Sequence, residues 1–335
     1  MSPSKPEVLI VGSVRFAQGD LDRIAERFTI HYLKCFSRAE FFEQCKTKYQ
    51  NVKALYRHPD STRAIGDFDA ELLKNLPKNL KFICNVGAGY DTIDVITSAK
   101  LGIYLSNTPG AVDAATADIA VILILNACRN ITQSERVLRE GRWNSGIFMG
   151  MNPEGKKIGI LGMGGIGKAI AQRVRGFEMN IQYHNRSRLS EDLEKKYNAT
   201  YVDFETLLRT SDVISISVPL SKETYHLIGN RELSMCKDGV IIVNTARGKV
   251  IDEPALVKAL ESGKVASVGL DVFEEEPVIN PGLLIHPRTT LLPHIGTNTI
   301  EAQIEMEQLA LNNLISAVDS DILITPVHEH KQYFS

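Results

Sequence analysis

Three short polar clusters carry side chains suited to gripping a carboxylate and moving a proton. Thr245-Ala246-Arg247-Gly248 offers a guanidinium, whose planar fork matches the two oxygens of a carboxylate. Pro293-His294-Ile295-Gly296 offers an imidazole, which passes protons near neutral pH. Asp271-Val272-Phe273-Glu274-Glu275-Glu276-Pro277 offers carboxylates, and one beside the imidazole would orient it and favour its protonated form. Each residue also has a plain reading. Arg247 fits a surface ion pair, Glu276 a solvated acidic run, and His294 a loop beside a proline. Position weighs against those readings taken together. Each cluster follows an apolar stretch read as a strand, at Val240–Asn244, Ser267–Val272 and Thr290–Leu292, so the three share one edge of one sheet. His184, His226, His286 and His328 lack such company and read as structural or surface residues.

The same half of the chain opens with Ile158-Gly159-Ile160-Leu161, which runs into Gly162-Met163-Gly164-Gly165-Ile166-Gly167 and leaves as a helix. Ile166, Ile170 and Val174 fall a turn apart on that helix. Gly162, Gly164 and Gly167 form G-x-G-x-x-G, the turn that brings backbone N–H groups, here including Gly165 and Ile166, against a dinucleotide pyrophosphate. Gly162 serves the tight turn, Gly164 the close phosphate approach, and Gly167 the packing of helix on strand. Alone the pattern is weak; between a strand and a helix it is informative.

About 20 residues past such a turn, NAD enzymes place an acidic residue on the ribose hydroxyls. This chain has Tyr183-His184-Asn185-Arg186-Ser187-Arg188 there, with no acidic residue before Glu191. Asn185 removes the repulsion of a 2′-phosphate, while Arg186, Ser187 and Arg188 supply charge and a donor. NADPH is therefore expected over NADH, with Arg186 the main contact. The plain alternative is a polar turn with solvated arginines, and NADH as working cofactor.

These features need a scaffold, and the rest of the chain reads as one. Strands are expected at Val8–Val11, Thr29–Tyr32, Val52–Tyr56, Lys81–Asn85 and Ile103–Leu105, alternating with amphipathic helices. Further strands are expected at Ile181–Asn185 and Val213–Val218. The fold class is α/β, with two doubly wound parallel-sheet domains: a flavodoxin-like domain and a Rossmann dinucleotide-binding domain. The breaker cluster Asn107-Thr108-Pro109-Gly110 marks the first crossing, and the helix Ile300–Val318 is expected to return to the first domain. The expected division is residues 1–108 with 299–335, and 109–298. Asp113–Arg129 reads as a helix apolar nearly all round, buried between elements.

Composition excludes other classes. The 335 residues suit about two domains. A net charge of −2 makes no electrostatic case for nucleic acid or an anionic membrane. Cys35, Cys45, Cys84, Cys128 and Cys236 are scattered and never spaced as C-x-x-C, which points to buried thiols in a reducing compartment, without disulfides or a metal site. The first strand begins too early to leave room for a signal peptide, and no apolar run approaches the ~20 residues of a membrane span. A cytoplasmic protein is expected.

With these motifs in this order, the chain resembles the D-isomer-specific 2-hydroxyacid dehydrogenases, and among them the glyoxylate/hydroxypyruvate reductase-like members. The resemblance runs through Val86-Gly87-Ala88-Gly89-Tyr90-Asp91, Thr116-Ala117-Asp118, Gly162–Gly167, Val218-Pro219-Leu220, Asn244–Arg247, Asp271–Pro277 and Pro293–Gly296. It implies Arg247, Glu276 and His294 as the catalytic set. It implies the amides of Val86, Gly87 and Ala88, with Arg247 and His294, as the grip on a 2-oxo acid. Cofactor contacts are implied at Thr116, Ser217, Val218, Pro219, Thr245, Ala246, Arg247, Asp271, His294 and Gly296. It further implies reduction to a D-2-hydroxy acid and a homodimer built on the crossing helix and the arm through Trp143, Phe148 and Met151. Four alternatives stand beside it. A corepressor on the same scaffold would carry flexible extensions, which the short tail after Pro326 does not supply. A formate dehydrogenase-like member would have glutamine in place of Glu276, and a phosphoglycerate dehydrogenase-like member often adds a further domain. A reductase of larger branched 2-oxo acids stays open, because the carboxylate grip is common to all of them.

Overall fold

Runs such as Val8–Val11 and Val240–Val243 have no polar face, and all eight residues are buried. That is the mark of parallel strands covered by helices on both sides. In the computed structural model, which describes residues 5–35 and 37–334, every strand pairing is parallel. The chain divides into two units, residues 1–112 with 298–335 and residues 113–297. The expected boundaries at 108 and 298 thus lie a few residues away from the observed ones. The Pro109-Gly110 turn stays with the first unit, because the second begins only with the helix Asp113–Arg129.

In the first unit β1 (Glu7–Val11), β2 (Thr29–Tyr32), β3 (Val52–Arg57), β4 (Phe82–Asn85) and β5 (Tyr104–Ser106) stand in the order β2-β1-β3-β4-β5. This is the flavodoxin-like order. The helix Ile300–Ser320 starts on a Thr299 cap, whose hydroxyl accepts the Ala302 N–H at 3.2 Å, and it packs on β3 and β4. Its buried Glu307 accepts N–H groups from Arg15 (2.9 and 3.1 Å), Phe16 (2.7 Å) and Ala17 (2.8 Å) at the start of the helix Gln18–Arg27. Hydrogen bonds to a charged group are worth roughly 1.5–3 kcal/mol each. Glu307 therefore ties the C-terminal helix to its unit.

The second unit holds β6 (Lys157–Leu161), β7 (Asn180–His184), β8 (Ala199–Tyr201), β9 (Val213–Ile216), β10 (Val240–Asn244), β11 (Val265–Leu270) and β12 (Thr289–Leu291). Their order is β12-β11-β10-β9-β6-β7-β8. The direction of winding reverses between β6 and β9, and that switch point is where such sheets bind ligands. β8 was not anticipated. Its three residues are too few to show a period, and only pairing with β7 makes them a strand.

The helix Asp113–Arg129 packs against β10, β11 and the helix Gly165–Val174. Small residues let it come close: a Cβ on Gly269 of β11 would stand 2.8 Å from the Leu123 Cβ. It is not covered all round as expected, since Ala114, Asp118, Ile122 and Arg129 form an exposed stripe. Among the described residues no single helix is long and apolar enough to cross a membrane, and no group of three or more His, Cys, Asp or Glu is arranged to hold a metal.

Candidate active site

The guanidinium sits on a braced turn. Asn244, wholly buried at the end of β10, accepts the Ala246 N–H at 2.9 Å and donates to the Arg247 carbonyl at 2.8 Å. One side chain thus staples both ends of Thr245-Ala246-Arg247. The Arg247 Nη1 in turn donates to the Ala246 carbonyl at 2.7 Å, which directs the fork. In sequence Asn244 is only part of a motif; its role as a staple needs the turn's geometry.

The imidazole and its carboxylate do meet. His294 Nδ1 lies 2.8 Å from Glu276 Oε2, while Glu276 Oε1 accepts the Phe273 N–H at 2.9 Å. Burial pushes the Glu276 carboxyl up, but the His294 hydrogen bond and charge, the Phe273 amide and the nearby Arg247 outweigh it and hold it below its ordinary value. Glu276 is thereby held as an ionised partner for His294 Nδ1. His294 has a φ of +54°. That left-handed backbone is held by Asp271 at the end of β11, whose two oxygens accept the Ile295 and Gly296 N–H groups, each at 2.8 Å. Burial raises the Asp271 carboxyl, against these amides and the His294 charge. A Cβ on Gly296 would lie 3.1 Å from Asp271 Oδ2 and 3.3 Å from Thr116 Cγ2, so these three assigned residues converge.

The glycine turn is shaped for a dinucleotide. Gly162 has a φ of +99°, and a Cβ there would lie 2.6 Å from the Ser217 carbonyl across the switch point. On Gly167 it would lie 2.2 Å from the Gly162 carbonyl, where helix meets strand, and on Gly164 it would meet nothing within 4 Å. The middle glycine therefore opens space in front of the amides of Gly165 and Ile166, where an anion is favoured. Asn185 Oδ1 accepts the Met163 N–H at 2.6 Å and fixes the turn from β7. Ser217 Oγ and Thr245 Oγ1, after β9 and at the end of β10, are buried without a hydrogen-bond partner. Each is a hydroxyl that ordered water or a bound dinucleotide can satisfy. Val218 and Pro219 follow, with the Pro219 carbonyl accepting the Thr224 hydroxyl at 2.6 Å. One charge was not foreseen: Asp113 stands over the turn, its Oδ2 2.0 Å from where a Gly165 Cβ would be.

Beyond β7 the two arginines part company. Arg188 spends its fork on Glu194, with bonds of 2.9 and 2.8 Å. That corrects its expected share in holding a phosphate. Arg186 and Ser187 are exposed, and Arg186 is close enough to contribute to lowering the Glu223 carboxyl, which the Ser221 hydroxyl chiefly holds down.

In the first unit, the loop after β4 corrects a second expectation. The Val86 N–H is taken by the Arg57 carbonyl at 2.9 Å, extending the sheet, and the Gly87 N–H by Thr108 Oγ1 at 2.9 Å. Gly87, at φ +109°, takes the left-handed backbone that this loop requires. Of the three amides expected to grip a carboxylate, those of Val86 and Gly87 are thus engaged within the first unit.

The family model for the D-isomer specific 2-hydroxyacid dehydrogenase NAD binding domain matches residues 121–296. The chain belongs to the D-isomer specific 2-hydroxyacid dehydrogenase family. This dehydrogenase is 49% identical to 4-methyl-2-oxopentanoate reductase A of Aspergillus oryzae, over 98% of this chain and 100% of that one. Among solved structures it resembles a glyoxylate reductase from Paecilomyes thermophila, with a TM-score of 0.94, 50% identity, and coverage of 98% of this chain and 99% of that chain. It also resembles an NADPH-dependent glyoxylate/hydroxypyruvate reductase from Sinorhizobium meliloti in complex with NADP and malonate, with a TM-score of 0.84, 30% identity, and coverage of 97% and 98%. The dehydrogenase is an oxidoreductase with a Rossmann nicotinamide-binding domain, in a family whose relatives act on small 2-oxo acids.

Proposed function

We propose that the dehydrogenase reduces a small 2-oxo acid, glyoxylate or hydroxypyruvate foremost, to the D-2-hydroxy acid. The observation that carries this reading is the Glu276–His294 pair at 2.8 Å, at the carboxyl end of the sheet that opens with the dinucleotide turn. When bound, the nicotinamide supplies a hydride to the keto carbon. Arg247 holds the substrate carboxylate and polarises the keto oxygen, stabilising the charge that develops there. His294 gives that oxygen its proton from Nε2, and Glu276 balances the imidazolium beforehand. The chain is further assigned to a homodimer through the arm after the crossing helix, where Trp143 is 74% and Met149 96% exposed.

The second reading, a larger branched 2-oxo acid, is favoured by the relative named for 4-methyl-2-oxopentanoate. Purified protein assayed with glyoxylate, hydroxypyruvate and 4-methyl-2-oxopentanoate, with chiral analysis of the product, separates the two. The highest kcat/KM is expected on one of the small acids. A preference for the branched acid would install the second reading. Absence of turnover on all three would overturn both readings of the substrate.

NADPH is proposed as the preferred donor, since Arg186 carries the charge that Arg188 does not offer. A charged hydrogen bond is worth roughly 1.5–3 kcal/mol, about ten- to hundredfold. Arg186→Ala should lose about that much in kcat/KM with NADPH and little with NADH. An equal loss with both cofactors, or equal wild-type efficiency, would make NADH the working cofactor.

A further inference from the structure

Behind the Glu276–His294 pair lies a second histidine–carboxylate pair that the chemistry does not use. His226, which lacks a partner in the local sequence, places Nε2 in a hydrogen bond with Glu274 Oε1. The other oxygen of Glu274 accepts the Glu253 N–H at 3.4 Å, and Glu253 Oε1 accepts the Glu274 N–H at 2.7 Å. The two glutamates thus exchange bonds across the start of the helix Glu253–Glu261. Glu253 is only 6% exposed, and its carboxyl is raised by burial and by the neighbouring glutamates. His226 is fixed from its own side, since its N–H donates to the Lys249 carbonyl at 2.8 Å and its ring stacks on Tyr225 at 4.1 Å.

The network encloses a contact of unusual closeness. A Cβ on Gly248 would fall 1.8 Å from the Phe273 carbonyl carbon and 2.4 Å from the Glu274 nitrogen. The backbone that follows Arg247 therefore lies directly against the backbone that leads to Glu276. Glu274 is the only side chain of the acidic run that reaches both neighbouring segments, 226 and 253, and it stands two residues before Glu276.

We propose that His226, Glu274 and Glu253 are positioning residues that clamp the Phe273–Pro277 turn on Gly248, and so set the Glu276 carboxylate against His294 and in register with Arg247. The inference rests on the proton-donor reading above. None of the three needs to touch substrate or cofactor. Their effect passes through the Glu276 carboxylate, whose Oε1 is also bonded to the Phe273 amide inside the clamped turn. A displacement of about 1 Å from residues remote from the chemistry can cost on the order of a hundredfold. Removing the clamp should therefore reduce kcat far more than it changes the affinity for cofactor.

The test compares the pH profile of 2-oxo acid reduction in wild type, Glu276→Gln, Glu274→Ala, Glu274→Gln and His226→Gln, with thermal midpoints measured on each. Glu276→Gln should move the profile downward, since a negative charge beside the proton-transfer site is lost. Glu274→Ala is expected to lower kcat roughly ten- to hundredfold and to move the profile the same way, with cofactor KM within about twofold. Glu274→Gln should recover most of the rate, because an amide still accepts from Glu253 and can donate to a bare His226 Nε2. Should Glu274→Ala fail to fold, His226→Gln stands in for it, with the same shift in smaller measure. If Glu276→Gln shifts the profile while Glu274→Ala and His226→Gln keep wild-type kcat and profile, the clamp is overturned and the proton-donor reading stands. If Glu276→Gln leaves the profile unmoved, the proton-donor reading fails instead, and the clamp fails with it.

Discussion

His294→Gln is expected to cut turnover by roughly 10²–10⁴, the usual worth of a positioned proton donor. Glutamine reaches about as far and can still bond to Glu276, but it has no proton to give near neutral pH. The loop itself should keep its shape, because Asp271 grips the amides of Ile295 and Gly296 whatever side chain stands at 294. Cofactor affinity, read from quenching of intrinsic fluorescence, should therefore stay within about twofold while the single-turnover rate of reduction collapses. Glu276 supplies an independent reading. Its carboxyl lies below the ordinary range against the pull of burial, with the His294 hydrogen bond the foremost cause. In the variant it should titrate higher. Turnover within a few-fold of wild type would move the proton transfer to another group.

Arg247→Lys should be nearly as damaging, with kcat/KM falling by roughly 10²–10³, the scale of losing a donor aimed at developing negative charge. Lysine keeps the charge but offers a point where the substrate offers two parallel oxygens. Because Arg247 is assigned to the ground-state carboxylate and to the developing alkoxide alike, KM should rise and kcat should fall together. The pH profile should hold its position, since a cation still stands near Glu276 and Arg247 is among the causes that lower its carboxyl. That combination separates substrate anchoring from electrostatic support of the acid–base pair. Wild-type kinetics in Arg247→Lys would reduce the arginine to an ion pair.

Much of this site was legible because its signals are local. An apolar run followed by Gly162-Met163-Gly164-Gly165-Ile166-Gly167 can do little but enter a tight turn and start a helix, and the spacing of three glycines carries its own steric reasons. Arg247 and His294 were legible as residues at strand ends for the same cause, since β-branched runs end where polar breakers begin. Alternation of strand and helix determined the class of fold, and chain order alone placed every cluster at the carboxyl edge of a parallel sheet.

Selection among neighbours of like chemistry belonged to the tertiary structure. In Glu274-Glu275-Glu276 the sequence holds three equivalent carboxylates, yet Glu276 meets a histidine 18 residues away and Glu274 meets one 48 residues away in the other direction. Arg186 and Arg188 look alike until Glu194 claims one of them. Val86, Gly87 and Ala88 read as one loop until Arg57 and Thr108 take the first two amides. Composition and period are properties of adjacent residues, so the sequence by itself determined which groups are present, in what order, and on which edge of the sheets. Hydrogen bonds close over about 3 Å between segments far apart in the chain, and which group each one claims is decided only when strand register and helix packing bring those segments together.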